Sequence, residues 1–431
     1  MAIPKLALIP SGVKAGKLYS VLPTNGDGDF TTTRNTVATR VNENGLIEEV
    51  ASNVPRLDYS DGGCPSLLLE PASTNLIPYS EDFSNVAWNK SSLIATSTLD
   101  INPSGTGSAY KIITDSGVAI SSAFIYEILS GLTPSVAHSY SVFAKKSELN
   151  SIRVAFDDGV TLSNRGEATF NLNDGSISNI QNTGNFSGVT AKSENYGNGW
   201  YRCTVSSVVN TTGQTRARVY NSDTTITTGD GAKGVLVYGA QLEENSYATS
   251  YIKTVGTTQT RVADTANGAG NASLINSTEG VLYAEVSVLS NGGSNRIISL
   301  FDSSSSRVSL TFHSDTNRVQ FFVAINGYTN TVSIDATTID QTILNKIAVR
   351  YGANNYALFI NGTKVGEDTS QSNTFSVNSL SELTFSDVAD FYGKTKSLQV
   401  YTTALSDIEL EKLTSYTSFT AMANALKYTI I

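Results

Sequence analysis

Histidine is the side chain most readily recruited to move protons near neutral pH, and the chain has two, His138 and His313. Neither stands at a spacing that would pair it with a nucleophilic serine or complete a metal site. Glycoside hydrolysis would need two carboxylates flanking the scissile bond, one to protonate and one to attack. On a strand such residues lie two apart, so that both point to one face. No Glu-x-Asp-x-Glu run occurs, and in SELTFSD (381–387) the alternation sends Glu382 and Asp387 to opposite faces. A Walker loop, a dinucleotide fingerprint and an HExxH helix are also missing. The expectation is a protein that is not an enzyme and needs no metal or cofactor.

Recognition chemistry remains. Aromatic faces pack against the C–H faces of sugars, and Trp200-Tyr201 could serve as such a platform. Trp200 follows Gly199 and opens a strand, however, so a place in the core is the favoured expectation. Asp157-Asp158-Gly159 could offer oxygens to calcium; a turn between strands explains the same residues and is favoured. Asp302, Asp315, Asn326, Tyr328, Asn354 and Asn355 fall in loops where a glycan could be met. Each of them also suits an ordinary solvated turn.

These residues need a scaffold, and the patterning predicts an all-β one. At 431 residues, two domains plus connections are the default. The charged fraction of 16% is below the usual quarter, so Ser, Thr, Asn and Gly must supply the polar surface, a composition suited to strands and tight turns. SYSVFA (139–144), SIRVAF (151–156) and EATFNL (167–172) alternate, the last running into Asn173-Asp174-Gly175. A second series begins with EGVLYAEVSVL (279–289) and continues through RVSLTFH, RVQFFVAI, KIAVRY and KSLQVY. Strands at this rhythm imply two antiparallel β-sandwiches in tandem.

Earlier in the chain, Asn44-Gly45 between two apolar runs predicts a hairpin. Arg34, Arg40 and Arg56 sit among Glu48, Glu49 and Asp58, which predicts local ion pairs of the weak, exposed kind. Near the other end, Ser406 and Glu409 form a capping box for a short helix with Ile408 and Leu413 on its apolar side. Phe419, Met422 and Leu426 recur at helical spacing in the tail, as for a closing helix or a subunit contact.

A net charge of −9 argues against a nucleic-acid partner. Cys64 and Cys203 are far apart and are expected as two buried free thiols. Pro4 and Pro10 interrupt the first apolar run, and no stretch approaches a membrane span, so neither a signal peptide nor membrane insertion is expected.

Several ordered motifs carry a family resemblance. TTRNTVATRVNENGLIEEVASNVPRLDY (32–59) followed by CPSLLLEPASTNLIPYSEDFSNVAW (64–88) resembles the N-terminal segment of tailed-bacteriophage virion proteins. YSVFAK, ATFNLNDGSISNI, NYGNGWYRCTVS, VYGAQLEENSYATSYIKT and TQTRVAD then resemble a carbohydrate-binding-module-like jelly roll of phage appendages. YALFINGTKVGED with DFYGKTKSLQVYTTALSDIELEKL resembles a laminin-G or concanavalin-like lectin domain. The resemblance implies an attachment segment with hairpin at 1–87, a jelly roll at 88–255, a linker at 256–277, a lectin-like domain at 278–414 and a helical tail at 415–431. It further implies a head or tail fibre or appendage component of the virion, made in the host cytoplasm and homo-oligomeric, with a trimer as the commonest arrangement. Such a protein would contact other virion proteins through its front segment and host-surface glycan through its sandwiches. A decoration or cement protein without ligand is the alternative; a polysaccharide depolymerase and a cellular adhesin fit less well.

Overall fold

The computed structural model describes residues 2–159, 161, 164–211, 213–291, 293–302, 306–314, 317–327 and 330–416. Among them, strands dominate, all paired antiparallel, and the one α-helix is Asp407–Thr414. The all-β expectation therefore holds. The chain divides into two compact units: unit 1 comprises Met1–Val37, Val50–Pro71 and Ala263–Ile431, and unit 2 comprises Ala38–Glu49 and Ala72–Val262.

Unit 2 is a sandwich of two six-stranded sheets. One, here the Phe124 sheet, runs Asn89–Ser91, Phe124–Leu129, Thr215–Ser222, Ser151–Asp157, Arg165–Asn171, Ile177–Asn182. The other, the Trp200 sheet, runs Leu93–Ile101, Ser108–Thr114, Gly234–Glu243, Val136–Lys146, Trp200–Val209, Phe186–Asn195. Alternation sends Ile125, Val154, Phe156 and Val219 of the first against Tyr140, Val142, Val205 and Val237 of the second, all buried. Burying such side chains contributes roughly 1.5–3 kcal/mol each. The predicted hairpin forms, with Ala38–Val41 paired to Ile47–Val50 and Gly45 at φ +76° in its turn. Its Ile47 packs with Phe143, Trp200, Tyr238 and Tyr251 on the outer side of the Trp200 sheet. Trp200 is buried, but beneath the hairpin on the outer side of its sheet and not in the sandwich core expected for it, its Nε1–H donating to Ile101 O at 3.1 Å; its neighbour Tyr201 is the one that lies in the core between the sheets.

Unit 1 pairs an eight-stranded sheet with a five-stranded one. The larger runs Thr363–Asp368, Tyr356–Ile360, Asn345–Gly352, Glu279–Val288, Gly393–Tyr401, Ser66–Leu69, Arg56–Asp58, with Leu6–Leu8 also on Gly393–Tyr401. The smaller runs Asn330–Ala336, Val319–Ile325, Arg307–Phe312, Arg296–Phe301, Glu382–Thr384. Residues 1–87, set apart in the sequence reading as an attachment segment, contribute strands to both units. Residues 256–277, read there as a linker, contain the strands Gln259–Arg261 and Thr265–Asn267.

The arginines of the first motif divide. Arg40 and Glu48 make the expected local pair at 3.0 Å. Arg34 and Arg56 are instead almost fully buried, and their partners are distant in sequence. Arg34 donates to Asp264 at 3.1 Å and to the carbonyls of Thr36, Ala51 and Val54. Arg56 bridges Glu70 and Asp264, and the Glu70 backbone N–H also reaches Asp264. Burial alone would pull the Arg56 pKa down; the two carboxylates outweigh it and hold it above its ordinary value. Removing one partner from such a buried pair costs about 3–5 kcal/mol, so these motif residues tie the front of the chain into unit 1.

Two smaller expectations are corrected. The Ser406–Glu409 capping box is present, but Ile408 is exposed, while Leu410 is buried and Leu413 packs beside it. Cys203 is buried and Cys64 exposed, both free, because Cys64 sits in the turn after Gly62-Gly63, where both glycines have positive φ. Phe419, Met422 and Leu426 lie outside the described residues. Among the described residues no helix is long and apolar enough to cross a membrane.

Candidate functional site

Register places two turns at one end of the five-stranded sheet. Phe301 faces Arg307, Arg307 faces Ala324, and Ile325 faces Asn330, so the chain reverses after Phe301 and again after Ile325 at the same edge. A third segment arrives from far along the chain: Glu382 pairs with Phe301, and Ser381 N–H donates to Phe301 O at 3.1 Å. This pairing brings residues 375–379 alongside the two turns.

Between the three segments lies a cleft of about 380 Å³ lined by Asp302, Ser306, Asn326, Gly327, Phe375, Ser376 and Ser379. That volume is within the roughly 300–1,000 Å³ of small-ligand sites. Asp302 accepts from Ser306 N–H at 3.2 Å, and Asn326 N–H donates to Ser306 Oγ at 3.1 Å, so one serine joins both turns. Asn326 and Gly327 adopt φ of +51° and +67°, the left-handed region that Asn and Gly tolerate best. Ser379 Oγ is buried without a hydrogen-bond partner among the described residues. Phe375 closes the floor and belongs to the unit's core.

The lining thus offers one carboxylate, one carboxamide, three hydroxyls and a ring, an arrangement suited to pairing with the hydroxyls of a sugar. It is poorly suited to hydrolysing one, since Asp302 is the one ionisable group among the lining residues.

Of the residues proposed from sequence, Asp302 and Asn326 come together here. Asp315 and Tyr328 lie outside the described residues. Asn354 and Asn355 turn the chain between Asn345–Gly352 and Tyr356–Ile360, with Asn354 N–H donating to Gln371 O at 2.8 Å, and neither lines the cleft. Ser306, Phe375, Ser376 and Ser379 were not singled out. Ser306 could have been found from its place in the turn after Asp302; residues 375–379 carry no signal, because only strand pairing brings them near.

Elsewhere, Asp157 pairs with Arg218, and Asp158 accepts from Thr161 N–H and Asn164, which makes Asp157-Asp158-Gly159 a hydrogen-bonded turn. No cluster of three or more His, Cys, Asp or Glu able to hold a metal occurs among the described residues. His313 contacts Arg318 and Gln320, and burial lowers the pKa of His138.

No family model and no curated protein sequence matches the chain. Among solved structures it is similar to the CBM40 of Ruminococcus gnavus IT-sialidase bound to α2,3-sialyllactose, at 16% identity over 35% of this chain and 94% of that one, with a TM-score of 0.30. Domain 4 of AbnA, a GH43 extracellular arabinanase from Geobacillus stearothermophilus, in complex with arabinotriose, shares 13% identity over 40% and 84%, with a TM-score of 0.30. Domains LG4-5 of the mouse laminin α1 chain share 10% identity over 69% and 89%, with a TM-score of 0.23. Likeness of this order leaves function to be argued from the chain's own residues.

Proposed function

We propose that this chain is a non-enzymatic bacteriophage virion protein, a head or tail fibre or appendage component whose β-sandwiches hold host-surface glycan. The observation that carries the binding part is the Asp302–Asn326–Ser379 cleft, where three loops converge to present oxygens and amides without a catalytic carboxylate pair. The virion part rests on the ordered motifs of residues 32–88, which resemble phage virion proteins. In this reading the protein is a homo-oligomer, a trimer by family habit, and it contacts other particle proteins. Each cleft binds weakly, and many copies on one particle raise avidity through effective concentration.

Glycan-array binding by the intact protein tests the reading. Asp302→Ala should lose at least about tenfold in affinity, the loss expected when a charged hydrogen-bond acceptor is removed, with the fold unchanged. A folded protein that binds no glycan would favour the decoration or cement alternative. Imaging of labelled protein on intact particles checks the location, and its absence from the particle would end the virion reading.

A further inference from the structure

The outer side of the Phe124 sheet carries a second binding surface of different chemistry. Alternation that buries Ile125, Val154 and Val219 turns Phe124, Tyr126, Arg153, Arg216, Arg218 and Tyr220 outward. Register aligns them across the strands. Phe124 faces Tyr220, and Tyr220 faces Arg153; Tyr126 faces Arg218; Arg216 faces Asp157, and Asp157 faces Arg165.

The side chains stack as the register directs. The Arg153 guanidinium lies 3.8 Å from the Tyr220 ring centre and Arg218 lies 4.3 Å from that of Phe124. Arg216 lies 5.2 Å from the centre of Tyr126. Carboxylates fix the positions: Asp157 holds Arg218, and Glu167 sits 3.0 Å from Arg165 and 3.7 Å from Arg153. At the centre Ala155 faces Arg218 on one side and Glu167 on the other, and these three, with Asp157 and Tyr220, are almost fully buried, so the open part of the face is that of Phe124, Tyr126, Arg153 and Arg216.

None of the apolar clusters among the described residues includes Phe124, Tyr126 or Tyr220. Phe124, Tyr126, Arg153 and Arg216 all keep partial exposure. Arg153 donates one hydrogen bond to Ser121 O and Arg216 one to Gly159 O, of the five donors each possesses. Arg216 Nε is buried with no hydrogen-bond partner among the described residues.

Charge identifies the occupant. Four guanidiniums share this face with Asp157 and Glu167, on a chain whose net charge is −9. Asp158, the nearest further acid in sequence, is turned to its own loop and Asn164. Planar guanidiniums suit carboxylates by paired donors, and the neighbouring rings suit the C–H faces of pyranoses. We infer that the outer face of the Phe124 sheet binds a carboxylate-bearing oligosaccharide, with Arg153 and Arg216 meeting its carboxylates and the parts of the Phe124 and Tyr126 rings left exposed beside the guanidiniums meeting its C–H groups. This site is separate from the Asp302 cleft and does not require that cleft to bind.

Binding of the full chain to oligogalacturonate, and to the same oligomer with its carboxyls reduced, tests the inference. Expected results are binding of the acidic form at low salt, loss on adding salt, and little binding of the neutral form. Arg153→Gln with Arg216→Gln should weaken it by at least about tenfold, as for a lost charged hydrogen bond, while Asp302→Ala leaves it unchanged. Should the double variant misfold, oligogalacturonate should still protect Arg153 and Arg216 of the unaltered protein from phenylglyoxal. No binding of the acidic oligomer, equal affinity for the neutral one, equal affinity for an oligonucleotide, or loss of binding in Asp302→Ala would each overturn the site. Failure of the cleft reading alone would leave these results intact.

Discussion

The two outer faces of the unit 2 sandwich begin from the same pattern and end differently. Both present rings and an arginine on alternate residues: Phe143, Trp200, Arg202 and Tyr238 on one, Phe124, Tyr126, Arg218 and Tyr220 on the other. The Trp200 face is roofed by Ile47, Tyr196 and Tyr251, and Arg202 beneath that roof donates to Ser141 Oγ and Thr249 O. On the Phe124 face, guanidiniums lie over the rings and carboxylates pin the guanidiniums. Outward aromatics are thus not a sign of binding in themselves. What separates packing from recognition is whether the chain returns to cover them.

Substitutions on paired positions should expose that difference. Trp200→Ala should cost about 3–5 kcal/mol in denaturant unfolding, as for other buried aromatics, whereas Tyr126→Ala, at a partly exposed ring, should cost about 1 kcal/mol. Equal losses would mean that both faces are packed alike. Arg202→Ala should lose about 3 kcal/mol by stranding buried acceptors, against a smaller loss for Arg153→Ala, whose side chain keeps 17% exposure.

A third test probes the layer between the faces. Glu127 points into the core between Ile125 and Leu129, with Oε2 lacking a hydrogen-bond partner, and burial pushes its pKa from 4.5 to about 7. Tyr140 lies near it, its pKa raised by burial first and by the Glu127 charge second. Because the folded carboxyl holds its proton more tightly than the unfolded one, stability should fall as pH rises from 4.5 to about 7 and level off above. Glu127→Gln should flatten that slope and gain on the order of 2 kcal/mol above neutrality, read from denaturant midpoints across pH. An unchanged slope would place the titration elsewhere.

Local signals in the sequence carried well where the physics is local. The Asn44-Gly45 turn and the Ser406–Glu409 cap each depend on near neighbours, whereas Trp200 is buried by a roof that includes the distant Ile47 and Tyr251. The partners of Arg34 and Arg56 did not carry, because Asp264 lies 230 and 208 residues away and only the folded chain joins them. Three of the seven cleft residues, Phe375, Ser376 and Ser379, were hidden for the same reason. The Phe124 face was readable in principle, since TRARVY (215–220) sets Arg216, Arg218 and Tyr220 on one side of a strand. Yet the same alternation marks the roofed face, and nothing short of the tertiary route distinguishes them.

Leu6–Leu8 pairs with Leu398–Val400, so the first strand of unit 1 closes against one of its last. On a ribosome adding about 5–20 residues per second, those partners emerge roughly 20–80 s apart. All of Ala72–Val262 is synthesised in that interval and can collapse while Leu6 and Leu8 are still unmatched. The strand Leu6–Leu8 can therefore take its place only once Gly393–Tyr401 has been made.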